Sequence, residues 1–527
     1  MEQRITRRRW LKWALTGTAG AVLAACAPQV VKETVVVEKE VEKIVKETVV
    51  VEGTPQVIEK VVTAAPAPAQ KQVLRYWLQA TTEQLYREEM INEFMQMNPD
   101  IEIQMDGTDP ANYNEATQLL FAGGTPPDVF WKFNLTLQQM LEQEYIMPYP
   151  DEVQTYLTSA YPDYMFLNGV NMIDGHLYGF YPVGKTSATR VLYMNDELFD
   201  KAGITEAPKT WSDFRNVAKQ LTEAGGGQSY GLILGGTSPW DYTGLVGSLA
   251  YTAGPMASGN SEAENFDWTK GELTIASDYM VAALQLCMDI AEDGSLFPGY
   301  STISHTESRA GLPSGWAGMF LGGWWDAGAY NTQFPEFSYS VAPPPEFDGG
   351  RLGYNLGTSQ IERVYVAKGS EVTDAINRFL LFKFGPVYQK GWARNGWFTT
   401  LPEANDESNI KDPIIQTIFK IAEDIRTSPN PVARNVEQAK VSVERKELHP
   451  NWGELLGGVF SGQLSVADYV EQAQKYTADH RAELERAINY LRDEGVAVSI
   501  DDWIFPNWDP SKDYTDEMYA ELPPVTY

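Results

Sequence analysis

The chain has 527 residues, 43% hydrophobic and 12% aromatic, with a formal charge of −30. The first 25 residues hold five basic side chains and one acidic, a net of +4, so the remainder carries −34. Such a body repels phosphate backbones, which excludes nucleic-acid binding, and its length implies two or more compact units around a large core.

The chain begins MEQRITRRRWLKWALTGTAGAVLAAC. Thr6 to Lys12 is a positively charged start, and residues 13–25 are an apolar, small-residue run without charge. That run is too short for a stable membrane span but fits a signal peptide over 1–25. The paired Arg followed by an aromatic, Leu and Lys resembles a twin-arginine export signal. Leu23-Ala24-Ala25-Cys26 resembles a bacterial lipobox, which implies lipidation of Cys26. No later segment has 18 uncharged apolar residues. The other cysteine, Cys287, lies in an apolar helical pattern and reads as a small core residue, so no intrachain disulfide is expected.

Residues 26–71 read as a stalk and linker. VKETVVVE at 31–38 recurs at 45–52. Thr34, Val37, Val41, Ile44, Thr48 and Val51 fall on a heptad spacing that Pro55 ends, which fits a short coiled coil or a solvated tether. Residues 63–69, TAAPAPA, form a semi-rigid spacer.

From residue 72 strand and helix patterns alternate. Residues 73–77 (VLRYW) read as a strand, 83–97 as a helix ending at Asn98-Pro99, and 101–105 as a strand. Residues 113–122 read as a helix closed by Gly123-Gly124, and 127–131 (PDVFW) as a third strand. This order predicts an α/β class with a largely parallel sheet, whose ligands sit at the carboxyl ends of the strands. Those ends carry Trp77, Asp109 and Trp131.

Gly179 to Thr186, GFYPVGKT, spells a phosphate loop, but its bulky inner residues and the β-branched run after it argue against ATP. No Cys-x-x-Cys or G-x-S-x-G is present, and His305-Thr306-Glu307 is a weak metal signal, so no metal or cofactor is expected. Aromatics stand next to turns instead: Trp240-Asp241-Tyr242 after Gly235-Gly236, Trp324-Trp325 after Gly322-Gly323, Trp397 after Gly396, and Trp452 after His449-Pro450-Asn451. Indole faces beside carboxylates suit sugars, whose C–H faces stack while hydroxyls bond Asp and Asn. As a group they point to a ligand crevice.

Several stretches now carry a resemblance. Residues 94–100 (FMQMNPD), 122–129 (AGGTPPDV), 175–182 (GHLYGFYP), 192–203 (LYMNDELFDKAG), 208–214 (PKTWSDF), 318–324 (GMFLGGW) and 457–462 (GGVFSG) are similar, in order and spacing, to extracellular solute-binding protein family 1, the sugar-binding receptors of ABC importers. The resemblance implies a two-lobe periplasmic-binding-protein type II fold, with a hinge between discontinuous lobes that close on a ligand. We expect 72–184 plus 353–390 in one lobe and 185–352 plus 391–500 in the other, with Arg190 to Met194 crossing between them. It implies ligand-binding positions at Trp77, Trp131, Asn134, Trp240 to Tyr242, Trp324 and Trp452, with Trp324 as the indole open to the crevice and Trp325 a departure from the pattern. Ala80-Thr81 and Phe133-Asn134 stand where charged sugar-binding side chains would be, which argues against maltodextrin. The partners implied are a carbohydrate, an ABC permease and, through the lipid, the outer face of the cell membrane, without catalysis. A secreted hydrolase using Asp109, Asp128, Asp241 or Asp326, a surface adhesin, or a receptor for a polyol, polyamine or peptide stay open. The tail 501–527, rich in Asp, Trp and Pro, either wraps the body or lines the crevice.

Overall fold

The computed structural model describes residues 42–51, 54–63, 71–79, 83–108, 112–131, 135–255, 265–357, 364–406 and 408–527. Cys26 and the signal segment 1–25, and the site candidates Asp109 and Asn134, lie outside the described residues.

Over residues 42–51 and 54–63 the stalk forms strands rather than a helical seam; the first copy of the repeat, 31–38, and the heptad positions Thr34, Val37 and Val41 lie outside the described residues. β1 (Glu42–Val51) and β2 (Thr54–Thr63) pair antiparallel, with Ile44 opposite Val61 and Thr48 opposite Val57. The reason is side-chain shape. Val, Ile and Thr lose rotamer freedom on a helix but fit a pleated surface, and only Glu52-Gly53 separates the runs, the length of a tight hairpin connection. This hairpin belongs to a unit of its own, residues 1–69.

The body, residues 70–527, holds two principal sheets. The first takes β3 (Gln72–Gln79), α1 (Gln84–Met97), β4 (Ile101–Thr108), α2 (Tyr113–Ala122), β5 (Val129–Trp131), β6 (Ile146–Met147) and β7 (Gly179–Phe180). The second is built from β8 (Arg190–Asn195), α3 (Trp211–Gly225), β9 (Tyr230–Ile233), α4 (Pro239–Ala253), α5 (Asp278–Glu292), α6 (His305–Gly311), β10 (Ala317–Gly323), α7 (Trp325–Gln333) and β11 (Tyr339–Ala342). The chain then passes through β12 (Leu356–Gly357) and returns to the first sheet as β13 (Val364–Ala367), followed by α8 (Thr373–Phe384). β14 (Arg426–Thr427) pairs with β12, and α9 (Trp452–Phe460) and α10 (Val466–Asp493) complete the second lobe.

The first sheet runs β4-β3-β5-β13-β6, with β7 also on β13. β3, β4 and β5 are parallel as expected, but β13 meets β5, β6 and β7 antiparallel. The sheet is therefore mixed, because the chain comes back to it from the other lobe in the opposite direction. The second runs β9-β10-β8-β11. Arg190 to Met194, expected to cross between lobes, is an inner strand of this sheet, paired with β10 on one side and β11 on the other. β8 shows why it must be inner: all six of its residues are buried. Alternation sends Leu192 and Met194 to the core under α3, α4 and α5, and Val191 and Tyr193 to the other face. That second core is continuous with the first lobe's, joining Leu74, Tyr76 and Val129 to Trp324, Trp397 and Ile415.

The tail wraps the body. Trp503, Phe505 and Trp508 are buried in the second lobe's core, and the Trp503 indole N–H donates to Gln438 Oε1 at 2.8 Å. Asp513 accepts from Lys185 Nζ at 2.5 Å and from the backbone N–H of Thr427 at 2.8 Å. The lysine of the phosphate-loop look-alike is thus held by the tail, in a short 3-10 turn that runs straight into β8. Cys287 is buried on α5, where burial pushes its thiol well up.

Candidate ligand-binding site

The sequence GGWWDAG closes β10 and opens α7, and its geometry follows from two missing Cβ atoms. A methyl group on Gly323 would sit 2.1 Å from Cζ2 of Trp325, and one on Gly322 would sit 2.4 Å from Oδ2 of Asp326. The glycine pair leaves the room into which Trp325 and Asp326 fold back over the strand end. Asp326 is pinned there by the N–H of Gly323, which donates to its Oδ2 at 2.8 Å.

The second glycine pair does similar work. A Cβ on Gly235 would meet the backbone of His305 at 2.7 Å, and one on Gly236 would meet both Tyr242 Oη and the carbonyl of Tyr300 at 2.7 Å. The turn before α4 can therefore lie against the start of α6. Ser238 caps α4 by accepting from the N–H of Trp240 at 3.3 Å, with Pro239 in the first helical turn. Ser304 and Glu307 cap α6 reciprocally. Two caps and two glycine pairs thus bring residues 240–241, 305 and 324–326 together.

At the centre stand two half-buried indoles, Trp240 and Trp325, with ring centroids 5.6 Å apart. The Arg190 guanidinium, buried at the start of β8, lies 4.6 Å from the Trp240 ring and 5.3 Å from the Trp325 ring. His305 meets the edge of Trp240 at 5.5 Å. Its Nδ1 lies 2.7 Å from Asp241 Oδ1 and its Nε2 3.2 Å from Asp326 Oδ1. Arg309 donates to the same Asp326 oxygen at 3.3 Å.

Burial alone would lower the His305 pKa. The charge of Asp326 and hydrogen bonds to Asp241 and Asp326 outweigh it and raise it to about 9, so the ring is an imidazolium at neutral pH. Asp326 is also fully buried, which would raise it, but His305, Arg309 and the Gly323 N–H together hold it below the usual carboxylate range. Asp241 is buried as well, and its Oδ2 has no hydrogen-bond partner among the described residues.

Trp240 also forms one wall of a cavity of about 380 Å³. The other walls come from Arg445 to Leu448, the start of α9 at Asn451 to Gly453, and Tyr476 of α10. Among the described residues no group of three or more His, Cys, Asp or Glu could hold a metal ion.

The expected residues divide into three sets. Trp240, Asp241 and Trp325 come together as described. Tyr242, Trp324 and Trp452 are core: Tyr242 stacks on Phe460 at 4.8 Å, Trp324 packs on Phe398 at 4.9 Å, and the Trp452 N–H donates to Tyr469 Oη at 3.1 Å. Trp452 is among the residues that line the cavity but is fully buried. The open indole of the pair is thus Trp325 and not Trp324, which is 3% exposed. The reason is register, since Trp324 is the last residue before α7 and points into the joint core. Trp77 and Trp131 stand on the first sheet. Trp77 donates to Thr117 at 2.8 Å and stacks on Tyr113, while Trp131 is buried against Tyr181 under the Arg87 guanidinium. Sequence reasoning missed Arg190, Arg309, Arg445 and Lys446 as site residues, and weighed His305 only as a metal ligand. No local motif marks Arg190 or Arg309, whose partners Trp240, Trp325 and Asp326 lie on other elements.

Two α/β lobes with a cluster of this kind beside the second sheet define the architecture of a solute-binding protein. The chain belongs to the bacterial extracellular solute-binding protein family, whose sequence profile matches residues 79–390. Binding proteins of Brucella abortus (strain 2308) and Brucella suis biovar 1 are 25% identical over 222 residues, 42% of this chain and 49% of theirs. The match thus spans about half the length of these curated relatives. Among solved structures, the solute-binding protein of Thermotoga lettingae bound with α-D-tagatose superposes with a TM-score of 0.60 at 15% identity, over 79% of this chain and 100% of that one. The GacH receptor of Streptomyces glaucescens, described unliganded and with acarbose, gives 0.59 at 16% identity, over 78% and 99%. Maltose-bound MalE3 of T. maritima gives 0.58 at 18% identity, over 77% and 99%. The family and these neighbours are binding proteins.

Proposed function

We propose that this chain is an exported, lipid-anchored receptor that captures a carbohydrate between its lobes and delivers it to an ABC permease, without catalysis. The observation that carries the reading is the half-open pair Trp240 and Trp325 beside Asp241, whose Oδ2 is buried without a partner among the described residues. Two indole faces take the C–H face of a pyranose, and a buried carboxylate oxygen accepts one of its hydroxyls. The Gly pairs, caps and His305 hold these groups in place before ligand arrives, which lowers the ordering cost of binding. Lobes of 72–184 plus 353–390 and 185–352 plus 391–500 would close by hinge motion, with Trp77, Asp109, Trp131 and Asn134 offered from the first. Cys26 would carry the lipid after removal of residues 1–25, and the stalk would set the body off the membrane surface.

Nothing in the cluster favours the hydrolase reading. A general acid needs a raised pKa, and Asp326 is held low by the three donors around it. Asp128 accepts from the Arg75 N–H at 2.7 Å and from Ser370 at 2.6 Å, a structural role.

Thermal denaturation of the purified full-length chain against mono- and oligosaccharides, polyols, polyamines and peptides tests the proposal. A ligand at a hundred times its Kd adds roughly 2.7 kcal/mol. Stabilisation by one sugar class, with the sugar recovered intact, is the expected result. Consumption of the sugar would favour the hydrolase. A response confined to polyamines or peptides would overturn the carbohydrate assignment.

A further inference from the structure

The tail does more than cover the second lobe. We infer that residues 509–527 are a strap over the hinge: they tie together the crossings between the two lobes and so restrict how far the lobes swing. The inference rests on the hinge closure proposed above.

The chain crosses between the lobes at three places. The first crossing, 181–189, leads from β7 to β8. The second, 343–363, leads from β11 through β12 to β13. The third, 423–440, leads from Ala422, in the core shared with the first lobe, to Val441 in the second lobe's core, and it contains β14. These crossings are bonded to one another. β12 pairs with β14, and the N–H groups of Arg426 and Ser428 donate to the carbonyls of Asn355 and Gly357 at 2.9 and 3.1 Å. Asn355 Nδ2 donates to the carbonyl of Ala188 at 2.7 Å, which joins the second crossing to the first. A Cβ on Gly357 would stand 2.7 Å from the Lys185 carbonyl oxygen, so these two backbones lie in contact.

The tail binds this bundle from outside. It is rooted in the second lobe's core by Phe505, Trp508 and Tyr514. Asp513 Oδ1 then reaches two crossings at once, accepting from Lys185 Nζ at 2.5 Å and from the Thr427 N–H at 2.8 Å. The Tyr514 N–H donates to the Thr427 carbonyl at 3.1 Å, and the Ser511 carbonyl accepts from Arg426 Nε at 3.0 Å. Tyr519 Oη accepts from the Asn430 N–H at 2.8 Å. Burial would raise the Asp513 carboxyl, yet Lys185 and the Thr427 N–H hold it below the usual carboxylate range, so it is charged at neutral pH.

A hinge concentrates rotation in a few connecting residues. Bonds onto those residues from a segment rooted in one lobe add a cost to that rotation. A tail that only covered core would need its indoles, not a carboxylate shared between two crossings.

Hydrogen exchange and small-angle scattering of the ligand-free full-length chain test this, on wild type, Lys185→Met, Asp513→Ala and the double variant. We expect exchange over 181–189 and 425–429 to quicken about threefold in Lys185→Met and about fivefold in Asp513→Ala, which loses both bonds. The double variant should exchange no faster than Asp513→Ala, because the Lys185 bond is already gone there. The radius of gyration should rise in the same order, while exchange in β10 stays at the wild-type rate. Unchanged exchange, or faster exchange confined to 508–516, overturns the strap and leaves the hinge reading standing. So does a uniform rise that includes β10, which is a loss of global stability. Loosened crossings with an unchanged radius of gyration overturn the hinge reading and the strap with it.

Discussion

His305 makes the stability of the protein depend on pH in a direction fixed by its neighbours. Its imidazole holds its proton up to about pH 9 in the fold, against an ordinary value of 6.5. A difference of that size corresponds to about 3 kcal/mol, because each pH unit between the two values is worth 1.36 kcal/mol. A raised basic group stabilises fully below 6.5 and loses that contribution as pH climbs through 9. Other groups titrate in the same window. Lys383, buried on α8, is depressed to about 7, mainly by burial and then by the charge of Arg87, and it works in the opposite sense: the unfolded chain binds a proton that the native chain releases, so stability recovers above 7. The comparison that isolates His305 is therefore wild type against His305→Gln. Urea unfolding of both at about pH 6, 7.5 and 9.5 should show a gap of about 3 kcal/mol or more at the lowest pH, narrowing steadily to the highest. The gap has a further contribution at low pH, since the variant leaves Asp241 and Asp326 without the cation between them. A gap that stays constant from pH 6 to 9.5 would refute the argument, showing that His305 carries no extra proton in the fold.

The two indoles of GGWW should separate cleanly. Trp324→Ala removes a buried core side chain and should cost about 3–5 kcal/mol in urea unfolding, whereas Trp325→Ala should unfold near the wild-type midpoint and weaken ligand binding by calorimetry about tenfold or more. Equal destabilisation by both would contradict their different burial. Gly323→Ala, whose methyl would stand 2.1 Å from the Trp325 ring, should displace that indole and reduce affinity, read by calorimetry and by a changed tryptophan emission; unchanged binding would mean the ring does not need that space. Trp503→Ala should cost about 3 kcal/mol or more, since the tail indole is buried against Trp268 and bonded to Gln438. A wild-type urea midpoint would show the tail to be a passenger. His480, buried on α10 and depressed to about 3 mainly by burial, predicts a loss of stability as pH falls from 6.5 toward 3, which His480→Phe should lessen.

The local periodicities of the sequence were reliable guides where one element packs on its neighbours in the chain. The helix over 113–122 and the strands beginning near 72 and at 101 stand where hydrophobic spacing and Gly or Pro punctuation put them. Expectations failed where a long-range pairing decides. The heptad spacing of the stalk coexists with β-branched composition, and over residues 42–51 and 54–63 the second property prevailed, with an antiparallel partner two residues away. Which strands flank Arg190 to Met194 was equally hidden, since β10 and β11, more than a hundred residues on, pair with its two edges. Of the tryptophans flanked by turns, Trp240 and Trp325 come together, while Trp324, Trp397 and Trp452 are buried. The pattern could not say which indole of an adjacent pair is open, because that depends on where β10 ends and α7 starts. Nor could it place His305 between Asp241 and Asp326, a contact made by segments that share no motif.

The stretch that identifies the family ends at residue 390, while most of the walls around Trp240's cavity, Arg445 to Gly453 and Tyr476, come after it. On the proposed reading, the indoles Trp240 and Trp325 fall inside the matched stretch, and the cavity walls at 445–453 and Tyr476 fall outside it. If ligand sits against this cavity, substitutions at 445–453 would reshape its walls while leaving the matched stretch unchanged. On that reading, comparing such proteins by ligand calls for residues 445–476 to be set beside the matched stretch rather than left out.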